Sequence, residues 1–295
     1  MIFNNKFSNI LYIKKHKILY VATPKAACTS LKLFFANTLG LKIEKHISLH
    51  ASPELAIHDF LIYKNFSLFF ILYKSFLNLN KQRDIKTFCI VRNPYTRIFS
   101  AWQNKILEGD QNYISKYSFL DKNLKINSKK TIQNAFEDFL IYLDKNIVNI
   151  ENFDNHWRPQ SIFLDIKNVR YDFIGKVEEF DAIKKFLGNQ LNMKTINIPR
   201  VNETHLKFDH SFISPLAKKL ILKIYREDFK NFNYPKEPPK SKLANGEIKV
   251  SSEKIFLLRE KNQRIADMMT FSGGIQIFAK LIILRAKQFF STRKI

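Results

Sequence analysis

Pro24-Lys25-Ala26-Ala27-Cys28-Thr29-Ser30 follows the apolar run Ile18-Leu19-Tyr20-Val21-Ala22 and precedes the apolar-rich stretch Leu31 to Leu39, closed by Gly40. The run reads as a buried strand and the stretch as a helix. A strand, a short loop with one lysine and two hydroxyls, then a helix make an anion cradle. The free N–H groups at the helix start point at the anion, and the helix dipole favours its charge. Thr29 or Ser30 is also a candidate N-cap, a role compatible with holding phosphate. The loop has no glycine, so it is not the GxxxxGK[ST] loop of nucleotide triphosphatases. A related fold with a different ligand is expected.

A second segment extends the reading. Thr87-Phe88-Cys89-Ile90-Val91 is a short apolar run suited to a buried parallel strand. Arg92 stands at its C-terminal end, and Asn93-Pro94 turns the chain into a helix that carries Ser100 about two turns in. Ligands of open parallel sheets bind just outside the strand C-termini. The planar fork of arginine suits phosphate there, although a structural ion pair is the competing reading.

Pro24 to Lys32, together with Val91-Arg92-Asn93-Pro94-Tyr95-Thr96-Arg97 through Ser100-Ala101-Trp102, resembles the two cofactor motifs of the sulfotransferases that use 3′-phosphoadenosine 5′-phosphosulfate (PAPS). The likeness is to the carbohydrate branch that includes chondroitin 4-O- and HNK-1-type enzymes. His156-Trp157, then Tyr171-Asp172-Phe173-Ile174-Gly175-Lys176-Val177-Glu178, and Ile224 to Tyr234 follow in that branch's order. The resemblance implies a P-loop-like three-layer α/β fold, with a central parallel sheet flanked by helices and both phosphate motifs at its C-terminal edge. It also implies roles. Lys25 would meet the oxygen bridging sulfur and the 5′-phosphate, where charge grows as that bond breaks. The loop from Pro24 through Ala26, Ala27 and Cys28 to Thr29 and Ser30 would hold the 5′-phosphate, and Arg92 with Ser100 the 3′-phosphate. Arg200, where related enzymes carry a loop over the nucleotide, is either a further contact or a solvated charge. No metal is expected.

The acceptor hydroxyl needs a base, and histidine titrates near neutrality. His58, between the two phosphate motifs and beside Asp59, is the counterpart of the base in the uronyl 2-O subgroup. His156 is its rival, and either is equally readable as a structural histidine. Glu178 reads as structural.

The chondroitin-type enzymes carry cysteines between the His-Trp pair and the Tyr-Asp-Phe segment, and Arg158 to Arg170 contains none. Cys28 and Cys89 are the only cysteines, and both read as small buried hydrophobes. With no sustained apolar core in the first residues, a reducing cytoplasm is the expected compartment. The Lys-, Asn-, Ile- and Phe-rich composition fits an AT-rich, bacterial genome.

A net charge of +23 over 295 residues favours polyanionic partners. The lysines are scattered and no RNP, KH or zinc-finger pattern exists, so nucleic acid is not the expected partner. PAPS and an acidic glycan, one carried on a lipid for instance, use the same field. Residues 1–235 form the expected sulfotransferase domain and 236–250 a linker. Residues 251–295 form a basic, amphipathic helical appendage, with a helix over Ser251 to Phe271. Lys280, Lys287 and Lys294 recur every seven residues beside Ile275, Phe278, Leu281, Ile282 and Phe289. Residues 268–295 therefore lie on an anionic inner membrane face or pack on protein.

Helices are expected at Thr131 to Asp144, at Asp181 to Leu191 with Asp181 as cap, and from Ser214-Pro215 through Tyr225. Phe60 to Leu79, as long as a membrane span but interrupted by Lys64 and Lys74, reads as a packed helix or an acceptor-side insertion. The expected activity is PAPS-dependent sulfuryl transfer to a carbohydrate hydroxyl, in polysaccharide or glycolipid synthesis. The rivals are a nucleotide or sugar kinase and a non-catalytic polyanion- or membrane-binding protein.

Overall fold

Alternation of side chains builds a sheet buried on both faces. The computed structural model describes residues 9–40, 68–70 (backbone only), 73–109, 128–201, 208–240, 253, 255–261 and 264. His58, most of the linker and residues 265–295 lie outside the described residues. Five strands stand in the order β3-β1-β2-β4-β5: β1 Ile10–Ile13, β2 Ile18–Val21, β3 Leu68–Phe70, β4 Lys86–Val91 and β5 Phe173–Lys176. Leu19, Val21, Cys89 and Val91 face one hydrophobic cluster, while Ile18, Tyr20, Phe88 and Ile90 face the other. That is the period of two expected of strands, with both faces covered.

The expectation of a parallel sheet is only half met. β2, β4 and β5 are mutually parallel, but β1 runs antiparallel to both β2 and β3. The cause is local. A three-residue 3-10 turn, Lys14–His16, with Lys17 in the left-handed region at φ 52°, joins β1 to β2. Such a link suffices for a hairpin and not for a parallel crossover.

On one face lie α1, Cys28–Thr38, and α6, Phe180–Leu191; the other is covered by α3, Pro94–Trp102, α4, Lys129–Lys145, α7, Pro215–Ile224, and α8, Arg226–Asn231. Two further short helices are α2, Tyr73–Asn80, and α5, Gln160–Phe163. The chain is thus a mixed α/β protein in three layers.

Several helix ends match the sequence. Ser214 accepts the Ala217 N–H at 3.0 Å with Pro215 in the first turn, and Gly40 takes φ 71° after α1. Ser128 caps α4 in a reciprocal box with Thr131. Asp181 is not a cap; it lies in the first turn of α6, after Glu179. The described part of Phe60 to Leu79 is strand β3 followed by helix α2, not one helix, because β3 pairs with β1. Among the described residues no helix is long and apolar enough to cross a membrane. Residues 255–261 are helical; Ile255 joins the core and Arg259 donates to the Leu107 carbonyl at 3.0 Å.

Candidate functional site

Because β2 and β4 are parallel neighbours, the loops leaving their C-termini lie side by side. Lys25 and Ala27 both take positive φ, 65° and 58°. Non-glycine residues hold such angles only where the surroundings enforce them. Ala27 occupies the N-cap position of α1 with no side-chain cap. Thr29 and Ser30, read as candidate caps, are instead in the first helical turn and buried. The helical ladder begins with Leu31 N–H donating to the Ala27 carbonyl at 3.0 Å. The amides of Cys28, Thr29 and Ser30 precede that ladder, as the first amides of any helix do. An uncapped start over two hydroxyls suits an oxyanion.

Lys25 is half-buried, and its ammonium donates to Asn104 Oδ1 at 3.2 Å. Burial first, with the nearby cations Lys105 and Arg92, lowers its pKa to about 8. Asn104 and Lys105 belong to a π-helical turn, Gln103–Leu107, that continues α3. Such turns are inserted residues that re-aim side chains, frequently at functional sites. Glu108 braces this one, accepting from Gln103 Nε2 at 2.9 Å and Asn104 Nδ2 at 3.4 Å. Under the helix start, buried Lys32 donates to Asn9 Oδ1 at 2.8 Å, a further positive charge below the loop.

Arg92 reaches the same loop. Its Nη1 donates to the Lys25 carbonyl at 3.2 Å and its Nε to Thr96 Oγ1 at 3.1 Å. The Arg92 backbone is gripped by the Gln160 side chain, which accepts its N–H at 2.9 Å and donates to its carbonyl at 2.9 Å. Gln160 is set in turn by Asp228, fully buried, which accepts the backbone N–H groups of Gln160 and Ser161 at 2.8 and 2.7 Å. Burial pushes the Asp228 carboxyl up, against these hydrogen bonds and Arg97. Glu178 has the structural role expected of it: it accepts the Asn93 N–H and the Tyr234 hydroxyl, each at 2.9 Å. Asn93 caps α3 by accepting the Tyr95 N–H, and Ser100 is buried within that helix.

Arg97 ties the pieces together. Its guanidinium, buried, donates to the carbonyls of Pro24, Arg158 and Asn155 at 3.1, 2.9 and 3.0 Å. Two of these carbonyls flank His156, which thereby comes within electrostatic reach of Lys25 and Lys105. Asp154 Oδ1 accepts the His156 N–H at 2.9 Å and lies 2.7 Å from its Nδ1. Burial, more than the two lysines, lowers the imidazole pKa, while Asp154 opposes the shift.

Lys25 is therefore within electrostatic reach of both Arg92 and His156. Arg200 is exposed. Cys89 is fully buried and its thiol pushed up by burial, whereas Cys28, read as buried, is half-exposed beside the loop. Sequence reasoning passed over Arg97, Asn104, Glu108, Gln160 and Asp154. Of these, Asp154 is the one with a local tendency to read, since Asp side chains favour accepting the amide two residues on, here that of His156.

A family model described as "Sulfotransferase family" matches residues 8–235. Carbohydrate sulfotransferase 12 of Xenopus laevis is 25% identical over 258 residues, covering 79% of this chain and 61% of that protein. Carbohydrate sulfotransferase 10 of Rattus norvegicus is 26% identical, covering 77% of this chain and 67% of the relative. Carbohydrate sulfotransferase 11 of the same animal is 23% identical, covering 78% and 68%. The chain thus spans about three fifths of the length of the carbohydrate sulfotransferase 12 relative. No solved structure gives a significant match.

Proposed function

The chain belongs to the sulfotransferase family, and from that premise we propose that it moves a sulfuryl group from PAPS to a carbohydrate hydroxyl. One observation carries the reading: the loop that opens α1 carries Lys25, and the Arg92 guanidinium, from the end of the neighbouring parallel strand, donates to the Lys25 carbonyl in that loop. The names of the similar proteins support the carbohydrate class of acceptor.

The residues fit a doubly phosphorylated donor. Thr29, Ser30 and the first amides of α1 would take the 5′-phosphate, with Pro24, Ala26, Ala27 and Cys28 shaping the loop. Arg92 and Ser100 would take the 3′-phosphate, with Arg200 as a further contact. In transfer, the bond from sulfur to the bridging phosphate oxygen breaks and a bond to the acceptor oxygen forms. The electron pair leaves with the nucleotide, where Lys25 offsets the growing charge, and the hydroxyl proton passes to a base. His156 is the base of this proposal, because burial, with Lys105 and Lys25 nearby, disfavours its protonated form; His58 is the alternative.

The finer expectations belong to the same proposal: a P-loop-like connectivity, a lipid-linked or surface-glycan acceptor, and a cytoplasmic site whose 268–295 segment rests on anionic lipid. Flotation of the full chain with anionic vesicles tests the last.

Thermal shifts with PAP, ADP and no ligand test the donor. PAP should stabilise the protein and ADP should not; equal shifts would refute the two-phosphate grip. Labelled sulfate transfer to glycans of the producing cell, compared for wild type and Lys25→Ala, tests the chemistry. A wild-type rate in Lys25→Ala would remove its assigned role.

A further inference from the structure

Residues 153–158 form a loop tied by several hydrogen bonds. Trp157 and Arg158 donate their N–H groups to the Asp154 carbonyl at 3.0 and 2.7 Å, and Arg158 Nε donates to the Phe153 carbonyl at 3.0 Å. The Trp157 carbonyl accepts the Tyr225 hydroxyl at 2.7 Å, and its indole packs edge-on against Phe139 in the core. Arg97 holds the carbonyls of Asn155 and Arg158. The backbone is thus held from Phe153, through Asn155 and Trp157, to Arg158.

Within that frame the Asp154 carboxylate faces the His156 ring at 2.7 Å. The same oxygen accepts the His156 backbone N–H, so it acts as an acceptor, and the ring nitrogen opposite it must be the donor. An imidazole that donates from Nδ1 carries its lone pair on Nε2. We propose that Asp154 is the positioning residue of this base: by holding Nδ1–H and the His156 amide on one oxygen, it fixes the ring orientation and the tautomer whose Nε2 accepts the hydroxyl proton. The inference rests on the reading of His156 as base and adds the group that makes it one.

The charged neighbours are consistent with this division of labour. Lys25 and Lys105 face His156 and disfavour the imidazolium, while Asp154 favours it. Arg97 and Arg158 lie within electrostatic reach of Asp154. When the ring takes the hydroxyl proton, the carboxylate stabilises the cation formed. No electron source or co-reactant is needed, since the proton moves from the acceptor oxygen to Nε2 and later to solvent.

Imidazole nitrogen NMR on protein labelled at histidine, with His156→Ala identifying the signal, reads the tautomer without any assay of transfer. The neutral ring should be in the Nδ1–H form in the wild type, and Asp154→Asn should lower the ring pKa. A ring mainly in the Nε2–H form, or a pKa unmoved in Asp154→Asn, overturns the proposal. In sulfate transfer, Asp154→Asn should lower kcat about tenfold or more, up to the ~10²–10⁴ that a general base contributes. The acid limb of its pH profile should move down, with the PAP-induced thermal shift retained. Asp154→Asn added to His156→Ala should cost nothing further, because one acts through the other. A slow His156→Ala beside a wild-type-like Asp154→Asn sinks the positioning role alone. A wild-type rate in His156→Ala sinks the base role and the inference with it.

Discussion

Replacing Arg97 with lysine keeps the charge and removes the fork. The guanidinium serves three carbonyls, those of Pro24, Asn155 and Arg158, at 2.9 to 3.1 Å from a buried position. An ammonium at the end of a lysine stem reaches one of them and strands two. Hydrogen bonds to charged groups contribute roughly 1.5–3 kcal/mol each, so two lost bonds cost about 3–6 kcal/mol. At about 2 °C per kcal/mol for a chain of this size, the midpoint should fall by at least ~6 °C. The carbonyls released belong to the loop carrying Lys25 and the loop carrying His156, so both groups lose their mutual anchor. Misplacement of reacting groups by an ångström costs on the order of 10²-fold. Thermal unfolding with and without PAP, followed by labelled sulfate transfer, measures both effects. Arg97→Lys unfolding within 1 °C (about 0.5 kcal/mol) of wild type, with unchanged transfer, would refute the reasoning that this fork joins the two halves of the site.

Four further outcomes follow from the same structure. In its proposed role Lys25 works as a cation, and its pKa is lowered to about 8 in the free protein, so kcat/KM should fall as pH rises through about 8. A bound anionic donor favours the charged form, so the basic limb of kcat should lie at higher pH; coincident limbs would count against charge as the role of Lys25. Lys25 and Lys32 both sit near 8 against 10.5 unfolded, so their contribution to stability should rise as pH climbs from about 8 to 10.5; urea titrations across that window check the sign. Asp228→Ala leaves the amides of Gln160 and Ser161 unpaired, a loss of about 2–6 kcal/mol, and frees Gln160 from Arg92, so PAP affinity should drop with stability in denaturant and binding titrations. Gly175→Ala puts a methyl 2.8 to 2.9 Å from Ile183, Ile90 and Phe173, and should cost about 1–3 kcal/mol in thermal unfolding with PAP affinity intact in the folded fraction.

Much of the fold was legible because its signals are local. The strand-loop-helix at Ile18 to Leu39, the strand ending in Arg92, and the Ser214-Pro215 cap each depend on residues close in sequence. The antiparallel β1 and β3 were missed for a different reason. β1 turns back through the short Lys14–His16 link, a local cause that an apolar run does not announce. β3, in contrast, finds its partner in Leu11 to Ile13 across more than fifty residues, and an apolar run does not state which partner it takes. Similarly, a mixed run such as Phe60 to Leu79 looks continuous until β3 finds its place at the sheet edge.

The candidate site divides along the same line. Lys25, Thr29, Ser30 and Arg92 were named from motif and spacing, since an anion cradle needs a helix start and cations near it. Arg97 and Gln160 could not be, because what they do is hold carbonyls and amides about sixty to seventy residues away. The sequence alone determined which chemical groups are present, which segments carry them, and the family to which the chain belongs. Only the tertiary structure decided that Lys25 rests on Asn104, that Arg92 reaches back to the Lys25 carbonyl, and that His156, with Asp154 at its side, comes within electrostatic reach of Lys25. The physical reason is range. Helix and strand periodicity are settled within a few residues, whereas a catalytic constellation is a set of ångström-scale distances between segments that only the closed core brings together.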